Sequence, residues 1–149
     1  MSTAGKVIIT ISICLILLII GVVGAGVYWW SAHGRQMVEA GGNAVKEGTE
    51  VGKKTDNQGC LDQTLTRYKA SPGLGGTISS NLFLVGCLES STPTPGFCDD
   101  VPRPNDIMRT ASWQIQKCKE AGLPSDPYAR QIFAVVQQHC EKVRLHPKQ

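Results

Sequence analysis

Residues 7–30 read VIITISICLILLIIGVVGAGVYWW. The run carries no charge, and only Thr10 and Ser12 interrupt its apolar character before the closing aromatics. Twenty-four residues in a helix rise ~36 Å, enough to cross a hydrocarbon core of ~30 Å with some tilt. A helix satisfies its own backbone hydrogen bonds, so the segment can span lipid alone. Tyr28, Trp29 and Trp30 close the run. Their rings suit the water–lipid boundary and mark an exit from the bilayer. His33 and Arg35 follow just outside.

The segment is therefore expected to be a single transmembrane signal-anchor over residues 7–30, preceded by a leader of residues 1–6 that carries Lys6. So short a leader is easily left behind, and the cysteines downstream favour an oxidising compartment. This places the N-terminus in the cytoplasm and the C-terminal domain on the periplasmic or extracellular side. A cleaved signal peptide is the alternative, with small residues at Val23, Gly24 and Ala25. Against it, the run exceeds the usual apolar region of roughly 7–15 residues, and an aromatic belt would serve no purpose there. Gly21 and Ala25 stand four apart, a spacing that lets two membrane helices approach closely. Glycine is also simply common in such helices. A homo-oligomer held through this patch is one possible consequence.

Residues 31–58 are polar and hold Gly34, Gly41, Gly42, Gly48 and Gly52. Each interior glycine weakens a helix by about 1 kcal/mol against alanine. The expectation is a weakly held helical stalk that loosens near Asp56, Asn57, Gln58 and Gly59.

Beyond it, Cys60, Cys87, Cys98, Cys118 and Cys140 are widely spaced, and Cys14 lies inside the apolar run. No pair stands at C-x-x-C, so a zinc ribbon, a thioredoxin-like dithiol and c-type haem attachment all lack their signature. In a small domain behind an export signal such cysteines read as disulfides.

Residues 59–149 show no strand signal and four helical stretches. The first runs from about Gly59 to Lys69, with Leu61, Leu65 and Tyr68 on one face, and Ser71 to Gly76 breaks it. The second, about Thr77 to Ser90, is apolar almost all round and should be central. Pro93, Pro95, Pro102 and Pro104 then forbid helix. The third runs from about Asn105 to Ala121, with Met108, Ala111, Ile115 and Cys118 at 3,4,3 spacing as its core face. The fourth opens with Ser125, Asp126 and Pro127 and faces inward through Tyr128, Ile132, Val135 or Val136, Cys140 and Val143. The fold class is all-α: a transmembrane helix, a stalk and a small disulfide-stapled bundle of two helical hairpins.

Hairpin geometry limits the cysteine pairs, because bridged Cα atoms lie within about 7 Å. About a turn near Gly73–Leu74, the position level with Cys60 is Cys87. About a turn near Leu123–Pro124, Cys118 has no cysteine level with it, and Cys140 falls level with residue 107. Cys98 approaches there through the proline-rich loop. The predicted bonds are Cys60–Cys87 and Cys98–Cys140, with Cys118 left over as a buried small hydrophobe or as a reactive or intermolecular thiol.

No catalytic residues, cofactor or metal ligands are expected. His139 is far from Cys118 by the same register, so a Cys–His dyad lacks its partner. Asp99, Asp100 and Asp106 match no EF-hand spacing. Gly73, Gly75 and Gly76 lack the Lys-Ser or Lys-Thr of a phosphate loop. The net charge of +3 is thinly spread, so no basic stripe serves nucleic acid. Trp113 falls on the polar side of the third helix with Arg109, Thr110, Gln116 and Lys117. An exposed aromatic there can anchor a partner, or it packs over the stalk or the proline-rich loop. The expected partners are the lipid bilayer and another envelope or membrane protein. The leading expectation is a membrane-tethered, non-catalytic accessory module. A thiol-dependent redox protein using Cys118 and a structural homo-oligomer are the alternatives.

Overall fold

A computed structural model describes residues 3–146, with side chains for residues 11–32, 34 and 38–146. The expectations placed on the leader's first residues, on the side chains of Lys6, His33 and Arg35, and on Lys148 lie outside the described residues. Five α-helices are present among the described residues: α1 (Thr3–Gly52), α2 (Asn57–Ala70), α3 (Leu74–Ser90), α4 (Ile107–Glu120) and α5 (Ala129–Leu145). The fold is all-α. Among the described residues the one β-type contact is an isolated bridge between Asp56 and Thr92. The chain divides into two compact units, Met1–Glu39 and Ala40–Gln149.

The first unit holds one apolar helical stretch, Ile11–Ala32, of 22 residues with mean hydropathy 2.6 and none of it buried. Its length and composition suffice to cross a membrane. Tyr28, Trp29 and Trp30 are exposed at its end.

In the second unit the last residues of α1 pack against α3, a difference from the stalk expected over residues 31–58. The glycines read as weaknesses are the contact itself. A β-carbon on Gly48 would stand closer than 3.0 Å to the Phe83 carbonyl, one on Gly52 to that of Cys87, and one on Gly86 to that of Val45. The two backbones approach so closely that no side chain fits between them. A β-carbon on Gly41 would meet Leu82 at 3.2 Å. From Gly41 near Leu82 through Gly52 near Cys87 to the parallel bridge of Asp56 with Thr92 the numbers rise together, so the two segments run broadly parallel.

Helices α2 and α3 form the first hairpin. Asp56 caps α2 by accepting from the Gly59 N–H at 2.8 Å, and the turn at Gly73 takes a positive φ of 95° that favours glycine. Cys60 and Cys87 are bonded across this hairpin with Cα atoms 5.7 Å apart. Helices α4 and α5 form the second hairpin. Asp106 caps α4, accepting from the Arg109 N–H at 3.1 Å, and Gly122 ends it at φ 77°. Cys98 and Cys140 are bonded at a Cα separation of 5.4 Å. Both pairs are the ones the hairpin register requires. The proline-rich loop is held at both ends. Asn57 donates to Ser91 and accepts from the Thr94 N–H, Gln137 donates to the Pro102 carbonyl, and Arg144 donates to the carbonyls of Cys98 and Val101. Tyr68, Leu84, Ile132, Phe133 and Val136 fill the core between the hairpins.

The structure corrects the core face expected for the third helix. Met108, Ala111 and Ile115 face outward, and of that series Cys118 alone is buried. The inward face instead carries Trp113 and Cys118, with Thr110, Gln114, Lys117 and Ala121 half-buried beside them. Their polar heads are satisfied at the edge. Thr110 accepts from Gln137 at 2.8 Å, and Lys117 lays its stem inward while its ammonium reaches Asp100 at 2.8 Å. On α3, Leu74, Ile78 and Val85 are exposed, so that helix is not enclosed all round. On α5, Tyr128 and Val143 are exposed as well.

Candidate functional site

Trp113 does not stand on the surface. It is 9 % exposed and meets Phe133 edge to face at a centroid distance of 6.0 Å. A side chain of that size outweighs the polar neighbours that flank it in sequence. The exposure on which the expected partner contact of Trp113 rested is therefore corrected: the residue is core. Its indole N–H is buried and has no acceptor among the described residues.

Cys118 is buried beneath the same helix. Burial pushes its thiol above the ordinary value, Arg130 pulls it down more weakly, and Asp126 adds a smaller upward push. A nucleophilic thiol needs the opposite, a depressed value and access. His139 lies beside Phe97 in the wall of a groove against the proline-rich loop, their rings edge to face at 6.5 Å. Among the described residues, no three His, Cys, Asp or Glu side chains converge as a metal site. Asp100 is taken by Lys117 and Asp106 by the cap of α4.

Two of the grooves on the second unit border α5. One, of about 800 Å³, runs between the proline-rich loop and α5, with Leu88, Pro93, Phe97, His139 and Val143 in its walls. The other, of about 500 Å³, lies between α2, α4 and the loop, over Leu61, Leu65, Val101 and Phe133. Neither brings together a nucleophile and a base.

The most developed surface feature is the outer face of α4. Ile107 is 76 % and Met108 79 % exposed, and Ala111 and Ile115 continue the same stripe. Residues at these spacings share one face of a helix. Arg103, Arg109 and Lys119 are exposed around it. The helix is anchored from beneath by the buried side chains of Trp113 and Cys118. The 3,4,3 spacing in the sequence carries this signal, but it marks the outside of the helix. In the first unit, Gly21 is open, with nothing near the position of a β-carbon, and Ala25 is exposed four residues on.

Comparison with known protein families, with curated proteins and with solved structures finds no match.

Proposed function

We propose that this protein is a membrane-tethered, non-catalytic accessory module of the cell envelope. Its apolar N-terminal helix is a retained signal-anchor. Its disulfide-stapled unit stands on the oxidising side, periplasmic or extracellular, and docks on another envelope or membrane protein.

The observation that supports this reading is the outer stripe of α4. Ile107, Met108, Ala111 and Ile115 leave apolar surface in water on a helix whose opposite face is already packed. Contiguous apolar surface with a polar rim is the signature of an interaction site. The basic rim of Arg103, Arg109 and Lys119 suits a partner with acidic residues around an apolar groove. Two covalent loops hold the module in shape, so little ordering is lost on docking.

The test is affinity purification of the tagged chain from its native membranes in mild detergent, with quantitative mass spectrometry, beside a Met108→Glu/Ile115→Glu variant. A stoichiometric partner that the variant loses is the expected result. A partner retained by the variant would move the docking surface elsewhere, and no partner at all would sink the reading.

Self-association through Gly21 and Ala25 is a second reading, favoured by the open surface at Gly21. Replacing both with leucine should then dissociate the oligomer in detergent. An unchanged assembly would count against it.

A further inference from the structure

The second unit has two distinct ends. One carries the α2–α3 turn and the α4–α5 turn side by side, joined by the hydrogen bond from the Tyr68 hydroxyl to Asp126 and by the approach of Lys69 to Gly122. The other carries the proline-rich loop, Ile107 and Met108, and the Cys98–Cys140 bond. The parallel run of α1 and α3, with Gly41 near Leu82 and Gly52 near Cys87, has the chain enter the unit level with the middle of α3 and run away from the two turns.

That end is unusual in composition. From Ala70 to Leu88 there is no charged residue. Leu74 is 58 % and Ile78 53 % exposed, Val85 on the same face is less so, and Glu89 ends the face with a charge paired to Lys142. Apolar exposure therefore declines along α3 away from the two turns. Tyr128 is exposed at the neighbouring turn, and Lys69 and Arg130 are exposed beside it. Apolar tips, an amphipathic ring and basic heads together match what inserts into a lipid interface. The acids at this end are engaged: Asp126 by Tyr68 and by the N–H groups of Tyr128 and Ala129, and Glu120, at the end of α4, by Gln116 and Lys117.

We infer that this end of the unit rests on the surface of the bilayer, with Leu74 and Ile78 inserted at the headgroup–acyl boundary and Lys69 and Arg130 facing anionic headgroups. The occupant is lipid because the chain itself delivers it. Nine residues lie between Trp30 and Ala40, so that ten steps of chain reach at most about 35 Å even fully extended. A tether so short turns weak interfacial binding into an intramolecular event. The inference rests on the anchor reading and is independent of the docking partner.

The experiment uses the full chain in vesicles of phosphatidylcholine and phosphatidylglycerol. Leu74→Cys, Ile78→Cys and, as the far-end control, Met108→Cys are each labelled with an environment-sensitive fluorophore in a Cys14→Ser background. All three positions are exposed, so the label displaces no core. Lipids spin-labelled at a shallow acyl carbon should quench the probe at 74 and 78 roughly twofold, as a probe near the headgroup boundary requires, and leave the probe at 108 unchanged. Lys69→Glu/Arg130→Glu should weaken that quenching. Protein that co-floats with the vesicles yet shows equal quenching at all three positions overturns the inference alone. Protein that fails to co-float overturns the anchor reading and this inference with it.

Discussion

Tyr68, at the end of α2, donates its hydroxyl to the carboxylate of Asp126, at the entry to α5. Both residues lie in the second unit, and the bond couples its two hairpins at one end. The Asp126 carboxylate also accepts the N–H groups of Tyr128 at 2.9 Å and Ala129 at 3.2 Å. The Tyr68 hydroxyl holds the Asp126 carboxyl below its ordinary value, and the two N–H groups assist against a small cost of burial. Burial and the same hydrogen bond push the Tyr68 phenol up.

A folded-state value below the unfolded one adds stability that is present above the unfolded value, about 3.9. That stability is lost as pH falls through the folded value. Acid should therefore loosen the hairpin junction below about pH 4. Tyr68→Phe should cost about 1.5–3 kcal/mol at neutral pH, the range for a hydrogen bond to a charged group. It should also flatten the acid decline. Thermal unfolding in mild detergent, followed by near-ultraviolet circular dichroism between pH 3 and 7, checks both; an unaltered acid limb in the variant would remove Asp126 as its source.

The glycines of the second unit should divide by contact. Gly48→Ala and Gly86→Ala place a methyl group against a backbone carbonyl and should cost about 1–3 kcal/mol or more. Gly42 has nothing near its β-position, so Gly42→Ala should raise stability by up to about 1 kcal/mol through helix propensity. Melting temperatures moving the same way in all three variants would contradict the close approach of α1 and α3.

Trp113→Ala should destabilise by about 3–5 kcal/mol, as large-to-small changes in a core do. Trp113→Phe should cost much less, because it keeps the edge-to-face contact and removes an N–H that lacks an acceptor. Denaturant titration of the pair distinguishes a core residue from a surface anchor, for which both changes would be nearly neutral.

Thiol counting tests the covalent frame. Unfolded without reductant, the chain should react at two thiols, Cys14 and Cys118, and after reduction at all six cysteines. In the folded protein Cys118 should alkylate far more slowly than in denaturant, from burial and from its raised pKa. Rapid native labelling of Cys118 would reopen the redox reading. Removing either bond, as Cys60→Ser or Cys140→Ser, should cost about 3–4 kcal/mol.

The helices and their bonding register were legible in the sequence because the information is local. Ser71 to Gly73 and Gly122 to Pro124 break helices by backbone chemistry, although Gly75 and Gly76, expected in the first break, lie in the first turn of α3, and the positions of Cys60 and Cys87 about the first turn leave little freedom. What could not be read depends on partners far along the chain. A glycine in a helix advertises only its low propensity, and nothing near Gly48 announces that Phe83 will press against it. On α4 the apolar 3,4,3 series suggested an inward face. The choice fell to Trp113, since Thr110 and Lys117 could hand their polar heads to Gln137 and Asp100. The exposed stripe was thus visible as residues while its direction was not.

The two bonds are neither crossed nor nested: the loop from Cys60 to Cys87 closes before Cys98 begins the second. A chain emerging from its N-terminal side could seal the first hairpin while the rest is still unmade. The second loop is open to a detour, because Cys118 follows Cys98 in the chain ahead of Cys140. A Cys98–Cys118 link formed first would have to be undone by thiol exchange, with Cys140 displacing Cys118, before the native bond could form. Cys118→Ala should therefore speed oxidative maturation even as it removes a buried side chain from the finished core.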